Sequence, residues 1–415
     1  MATAYRAPNP FNPSVPATIR NFVGREPAIK EFEQKLQFVK NGSPMGLAIS
    51  GDWGIGKTSL LIKYEGIAQL ENSFIVKIGT VSPDIDSQKK LAWLIISSIQ
   101  LRCKQLKSLG VLKDDLDIFT DGLANETHRK EMELTFGSSI DSTHQTILRD
   151  FLESFWARAK QQFAAIIILI DEVDRIVNLQ NYLLFLREVF QRLSESQANY
   201  FLVISGRKIL SEQMSGEFAP LLRFFYKVQL DNFAEVEAAD FIELRLSNTG
   251  VTMDDNVKKK LFEETEGHPY VLSVAMMILY RELPETDNKI TMSYYHAFEP
   301  EVFNYISNEF FLVAYNSTTP AARKILRKLA DMPYGILRFS EIVSHIGGHG
   351  SEVSPYLAEL VRKGCLTRVG RGEYKFFHKL FKRFVEMQDA SKIKPRKVNR
   401  SGGQKDLSTW QQEMG

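Results

Sequence analysis

Lys57 and Thr58 close a glycine-rich run, Gly51-Asp52-Trp53-Gly54-Ile55-Gly56-Lys57-Thr58-Ser59, whose spacing is G-x-x-x-x-G-K-[ST]. Glycines at these intervals let the backbone curl so that successive N–H groups turn inward on an anion. The lysine adds positive charge where the β/γ-phosphates of a nucleotide would lie, and the Thr58 hydroxyl can hold Mg²⁺. Far along the chain, Ala164-Ala165-Ile166-Ile167-Ile168-Leu169-Ile170-Asp171-Glu172-Val173-Asp174 is an unbroken apolar run ending in carboxylates. Asp171 would act on the same Mg²⁺ through its water shell. The chemistry these residues allow is phosphoryl transfer, which needs positioning and charge stabilisation more than covalent catalysis.

The elements that must hold these groups are legible on either side of them. Gly46–Ser50 reads as a short buried strand and Ser59–Leu70 as a helix, whose positive dipole end faces the phosphates. Phe74–Gly79 reads as a second strand, 88–107 as an amphipathic helix, and 108–140 as an acidic insertion without an interpretable motif. The apolar run before Asp171 reads as a central parallel strand buried on both faces, and open α/β sheets place ligands at the carboxyl ends of such strands. Tyr200–Ser205 and Phe225–Leu230 supply two further strands.

Ahead of the glycine run, a helical pattern (Ile29, Phe32, Leu36, Val39) starts with Pro27 in its first turn. After the last strand comes a helical region, with helices at 234–247 and from Asp254, punctuated by Gly267-His268-Pro269. Glycine ends one helix there and proline starts the next. From Thr319 the pattern changes to helices 320–331, 339–346 and 352–363. Two short strands, Cys365–Val369 and Tyr374–Phe377, then flank Gly370-Arg371-Gly372. Three helices followed by a glycine-tipped hairpin predict a winged helix.

The 415 residues, 44% hydrophobic and 25% charged, fit two or three globular domains. Cys103 and Cys365 stand far apart without a metal-ligand pattern, which suits a reducing compartment. No apolar run approaches the roughly 20 residues a membrane helix needs, and the proline-rich start lacks a signal-peptide core; a cytoplasmic protein without membrane contact is expected. The net charge of +2 hides an asymmetry, because Ser317–Ala390 carries 13 basic against 7 acidic residues, and Ser391–Gly415 carries 6 against 2. A basic end on an acidic body points to an anionic partner.

Asn21-Phe22-Val23-Gly24-Arg25-Glu26 ahead of a helix and the glycine loop resembles the opening segment of AAA+-type and STAND ATPases. The resemblance is closest to the archaeal-type ATPase group, with the replication-origin ATPases as relatives. It implies an α/β P-loop NTPase core with a parallel sheet, a helical lid and a C-terminal winged-helix domain, binding ATP and Mg²⁺. It assigns Phe22, Val23 and Gly24 to the adenine pocket, and Glu172 as the general base that polarises the attacking water. Ser205 becomes a γ-phosphate sensor, and Arg207 matches the basic residue of STAND ATPases at that strand end. Arg223 falls where AAA+ proteins present an arginine finger to a neighbouring subunit. Pro269 belongs to a Gly-x-Pro lid motif that packs near the adenine. His378 matches the histidine of a Met-His-Asp triplet that touches the ADP β-phosphate, although Phe377 and Lys379 replace its neighbours. No sensor arginine is evident beside Pro269, a departure from ring-forming unfoldases.

The expected organisation is an extended strap at 1–20, the ATPase core at 21–230, a lid at 231–300, a winged helix with its linker at 301–390, and a disordered basic tail at 391–415. Hydrolysis is expected to be slow and stimulated by a partner or by oligomerisation, as a homo-oligomer or hetero-complex. Two uses of the energy stay open. The basic winged helix (Arg362, Lys363, Arg368, Arg371, Lys375) and tail would grip DNA phosphates. Alternatively the winged helix folds back on the nucleotide in an ATP/ADP signalling or defence switch and binds no DNA.

Overall fold

A computed structural model describes residues 7–79, 85–112, 116, 144–207, 210 and 219–389. Most of the insertion at 108–140 and the whole tail at 391–415 lie outside the described residues. The chain divides into two compact units, Met1–Val302 and Phe303–Gly415.

In the first unit, α1 (Glu26–Lys40) leads into β1 (Met45–Gly51), α2 (Lys57–Leu70), β2 (Ser73–Ile78) and α3 (Gln88–Ser108). Then follow α4 (His144–Ala159), β3 (Ala165–Ile170), α5 (Leu179–Arg192), β4 (Tyr200–Gly206), α6 (Ala219–Phe224) and β5 (Phe225–Leu230). The five strands pair in the order β2-β3-β4-β1-β5, and every pairing is parallel.

Alternation along each strand divides its side chains between two apolar layers. Ile166, Ile168 and Ile170 pack with Leu202 and Ile204 under α3, α4 and α5. Ala165, Ile167 and Leu169 pack with Leu47, Ile49 and Val203 under α1 and α2. β3 is therefore buried along its whole length, which explains why its sequence is a continuous apolar run rather than an alternating one. Phe32 of α1 stacks between Tyr64 and Phe201, with ring centroids 4.1 Å and 5.1 Å away. The buried Tyr64 hydroxyl is satisfied by donating to Ala28 O at 2.8 Å.

The lid follows as α7 (Glu235–Leu246), β6 (Thr252–Met253), α8 (Asp255–Thr265), α9 (Pro269–Glu282), β7 (Lys289–Ile290) and α10 (Met292–Ile306). Gly267 ends α8 at φ +68°, where a Cβ would stand 2.2 Å from Phe233 O. Only glycine fits that position.

The second unit contains α11 (Leu312–Asn316), α12 (Pro320–Ala330), β8 (Leu337–Arg338), α13 (Phe339–Ile346) and α14 (Gly350–Arg362). β9 (Leu366–Gly370), β10 (Glu373–Phe376) and α15 (Lys379–Asp389) complete it. Its three strands pair antiparallel in the order β8-β10-β9. Thr319 caps α12 by accepting the Ala322 N–H at 3.3 Å. Phe311 anchors the aromatic core, with Phe381 5.5 Å and Phe384 5.9 Å away between centroids.

Candidate functional site

The glycine run forms the turn between β1 and α2. Gly54 and Gly56 take φ values of +72° and +100°, which side-chain-bearing residues adopt at a cost. A Cβ on Gly51 would lie 2.8 Å from Ile55 Cγ2 and 2.9 Å from Leu230 O, so that glycine is demanded by packing. A Cβ on Gly56 would meet nothing within 4 Å, because this face of the turn borders the open cradle. Lys57 Nζ curls back to donate to Gly51 O at 3.0 Å and Asp52 O at 2.8 Å. Burial pushes its ammonium below the ordinary lysine value, against the pull of Asp174, Asp171, Asp52 and Glu172.

Asp171 leaves the end of β3 and collects three donors. Its Oδ2 accepts the Thr58 hydroxyl at 2.7 Å. Its Oδ1 accepts the Glu172 N–H at 2.9 Å and the Ser205 hydroxyl at the end of β4. Glu172 adopts φ +54°, and its carboxylate forms an ion pair with Arg175 Nε at 2.9 Å. Asp174 is enclosed and accepts both the N–H of Arg207 at 3.0 Å and its Nε at 2.6 Å. The basic residue after β4 is thereby committed to an acid of the β3 exit.

These groups open onto a cavity of about 310 Å³. Phe22, Val23, Trp53, Gly54, Ile55, Gly56, Lys57, Thr58, Ser59, Asp171, Glu172 and Pro269 all line it. The other anticipated residues do not. Gly24 (φ +68°) turns beside Glu237, whose carboxylate a Cβ would meet at 2.2 Å, so it shapes the segment rather than the wall. Gly51 and Asp52 serve through the carbonyls that hold Lys57. Ser205 is fully buried and its hydroxyl is engaged by Asp171, which makes it a support for that carboxylate. Arg223 on α6 is exposed. His378 is fully buried in the second unit, and its Nδ1 accepts the Leu380 N–H at 3.0 Å. A ring so enclosed and so occupied serves the start of α15.

Several lining residues escape sequence reasoning. Arg25 lies over the Phe233 ring at 4.8 Å and donates to Ile55 O at 3.3 Å. Burial lowers its pKa, with Glu237, Asp231 and Glu26 opposing. Phe233, Phe241, Arg245, Tyr270 and Ser273 come from the lid, and Asn12 to Ala17 from the N-terminal strap. Tyr270 sets its ring edge against Trp53 at 4.5 Å, while His268 Nε2 donates to Trp53 O at 3.1 Å. The lid therefore rests directly on the glycine turn. The Gly267-His268-Pro269 punctuation signals this contact, whereas a Phe–Arg pair four apart on α7 gives no sign of facing a cavity.

The cavity suits a nucleotide: a curled N–H turn with a lysine, and aromatic walls able to flank a base. A hydroxyl and a carboxylate in mutual contact are hard oxygen ligands of the kind Mg²⁺ takes beside phosphates.

Residues 25–220 match the model of the KAP family P-loop domain, and residues 308–385 match a domain of unknown function, DUF8462. An uncharacterized HTH-type transcriptional regulator of Methanocaldococcus jannaschii is 22% identical over 383 residues, covering 89% of each chain. Among solved structures, a Walker-type ATPase of Pyrococcus abyssi has a TM-score of 0.60 at 15% identity, covering 91% of this chain and 99% of its own. The Aeropyrum pernix ORC2 protein, in ADPNP–ADP complexes, has a TM-score of 0.50 at 12% identity, covering 92% and 98%. The parallel sheet and the glycine turn show a P-loop NTPase fold. That fold is shared with the Walker-type ATPase and the ORC2 protein.

Proposed function

We propose that the first unit binds ATP with Mg²⁺ and hydrolyses it slowly, and that this cycle drives action on DNA, or on a DNA-bound partner, through the second unit. The observation carrying the reading is the contact of Thr58 with Asp171 at 2.7 Å, on the same cavity wall as Lys57 and Glu172.

Lys57 would exchange its loop carbonyls for the β/γ-phosphates, and Thr58 and Asp171 would hold the metal. Bound Mg²⁺ supplies neutralisation of the charge on the phosphoryl oxygens. Ser205 keeps Asp171 in place, and Glu172 orients a water and takes its proton. Phe22, Val23 and Pro269 flank the base. Arg223 is exposed and outside its own cavity, which supports a role toward a neighbouring subunit in a homo-oligomer or hetero-complex. Turnover per chain should then rise with protein concentration.

The second unit is read as a winged helix, with β8 between its first two helices and the β9–β10 hairpin as the wing. Arg362, Lys363, Arg368 and Arg371 are exposed along the end of α14 and the hairpin, which supports α14 entering a major groove while the wing meets phosphates. The Methanocaldococcus relative, described as an HTH-type transcriptional regulator, supports the same reading.

Two measurements test it together. Mg²⁺-dependent ATP turnover should exceed that of Lys57→Ala, and duplex-DNA affinity should fall linearly with log salt. Turnover no greater than the variant's removes the hydrolytic half. Absent binding, or affinity indifferent to salt, removes the DNA half.

A further inference from the structure

Among the described residues, Arg245 is a cation in the cavity wall that no carboxylate answers. It sits on α7 and is partly buried. Its Nη1 donates to Pro10 O at 2.9 Å, and its guanidinium lies 5.3 Å from the Phe241 ring centroid. Its Nε is enclosed and makes no hydrogen bond. Burial alone pushes its pKa below the ordinary arginine value, with no acid opposing, whereas Arg25 is offset by three acids. A desolvated charge lacking a counter-group is costly, and a guanidinium is a donor only, so what completes it must be an acceptor.

The strap that supports this arginine is itself fixed. Phe11 is buried between Phe241 and Tyr280, with centroids 6.0 Å and 6.4 Å away. The Tyr280 hydroxyl donates to Ala7 O at 2.8 Å, and Asn9 Nδ2 donates to Met277 O at 2.8 Å. At the far end, the Ala17 N–H donates to Ser59 Oγ at 3.0 Å, next in the chain to Thr58. The strap thus runs from the lid to the first turn of α2, with Pro10 held opposite Arg245.

We propose that Arg245, braced by the strap, reads the base of the bound ATP, donating from its guanidinium to a ring-nitrogen acceptor of the adenine. This rests on the cavity being the nucleotide site. Lys57 already answers the phosphates. Arg245 stands instead beside Phe241, which lines the same cavity together with Phe233, and aromatic walls of this kind suit a flat heterocycle. The arginine is thereby a specificity residue at the opposite chemical end of the ligand from the lysine.

The test titrates ATP and inorganic tripolyphosphate, each with Mg²⁺, into the full chain by calorimetry. Arg245→Met, which keeps the stem over Phe241, should weaken ATP about tenfold more than tripolyphosphate. Arg245→Lys keeps the charge but loses the planar fork, and should show a smaller loss of the same kind. Thermal melts without ligand show whether each variant is folded. Equal losses for the two ligands, or no loss for ATP in either folded variant, overturn the proposal while leaving the nucleotide site standing. If wild type binds neither ligand, or Lys57→Ala binds both as well as wild type, the site reading falls and this proposal with it.

Discussion

The hydroxyl of Thr58 and the Oδ2 of Asp171 are 2.7 Å apart, although 113 positions separate them in the chain. One leaves the sheet at the start of α2 and the other at the end of β3, two strands away from β1 in the order β2-β3-β4-β1-β5. Their contact depends on β4 lying between, because Ser205 at its end donates to the other oxygen of Asp171. Asp171→Asn preserves the shape but removes the charge that a divalent cation needs. Nucleotide affinity should lose its dependence on Mg²⁺, and turnover should fall by about a hundredfold or more. Titrations with and without Mg²⁺ check this. A variant that still responds to the metal as wild type does would assign the metal elsewhere.

Lys57 and Glu172 line one cavity, and the proposed function gives them different steps. Lys57→Ala removes the only ammonium among the described lining residues, so binding of ATP should weaken about a hundredfold. Glu172→Gln keeps size and loses the base, so it should bind ATP as wild type and turn over at least about a hundredfold more slowly. Paired binding and single-turnover measurements separate the two. Equal hydrolysis in both variants contradicts the assignment.

The parts of the site legible in the sequence are those with a rigid local cause. The cradle is written in the spacing of Gly51, Gly56, Lys57 and Thr58, because the turn works only at that spacing. Asp171 is legible because a strand buried on both faces must be apolar until it emerges, and its first acid marks the exit. Phe241 and Arg245 are not legible, since an aromatic and a cation four apart on a helix describe an ordinary amphipathic face as well as a cavity wall. The strap is a mixed case: Pro8, Pro10, Pro13 and Pro16 indicate extended chain, but its route depends on distant partners such as Tyr280 and Ser59. His378 is legible only as a motif position; that it is buried in its own unit and accepts the Leu380 N–H depends on packing the motif does not encode. β8, only two residues long, has too little periodicity to announce itself.

Glu237 ties the opening segment to the lid. Its carboxylate accepts the Arg25 N–H at 3.0 Å and the Ala234 N–H at 2.8 Å, holding the residue after Gly24 and the first turn of α7 on one side chain. Glu237→Ala leaves both donors without this acceptor, at a cost of about 2 kcal/mol. For a unit of this size, Met1–Val302, Tm should fall by about 3 °C. Because Arg25 also lines the cavity, nucleotide affinity should fall with it. A scan and a titration on the same preparation check both, and an unchanged Tm would mean that solvent replaces the carboxylate.

Cys103 and Cys365 are both buried and unpaired, and burial pushes each thiol from the ordinary value of 9.0 up to about 12. The folded pKa lies above the unfolded one, so the protonated thiol contributes stability that is fully present below pH 9.0. That contribution is lost as pH rises toward about 12. Two outcomes follow from the same shift. At pH 8 the native chain should hold about a thousandfold less thiolate than the unfolded chain, so a thiol reagent should label both cysteines only after denaturant is added. In a pH series, Tm should begin to decline above pH 9.0, as the unfolded thiols ionise ahead of the folded ones. The Cys103→Ser, Cys365→Ser double variant should show a shallower decline over the same range, because it removes the two groups whose titration drives it. Rapid labelling of the native chain at pH 8 would show that these thiols are reached through local opening rather than protected by the core.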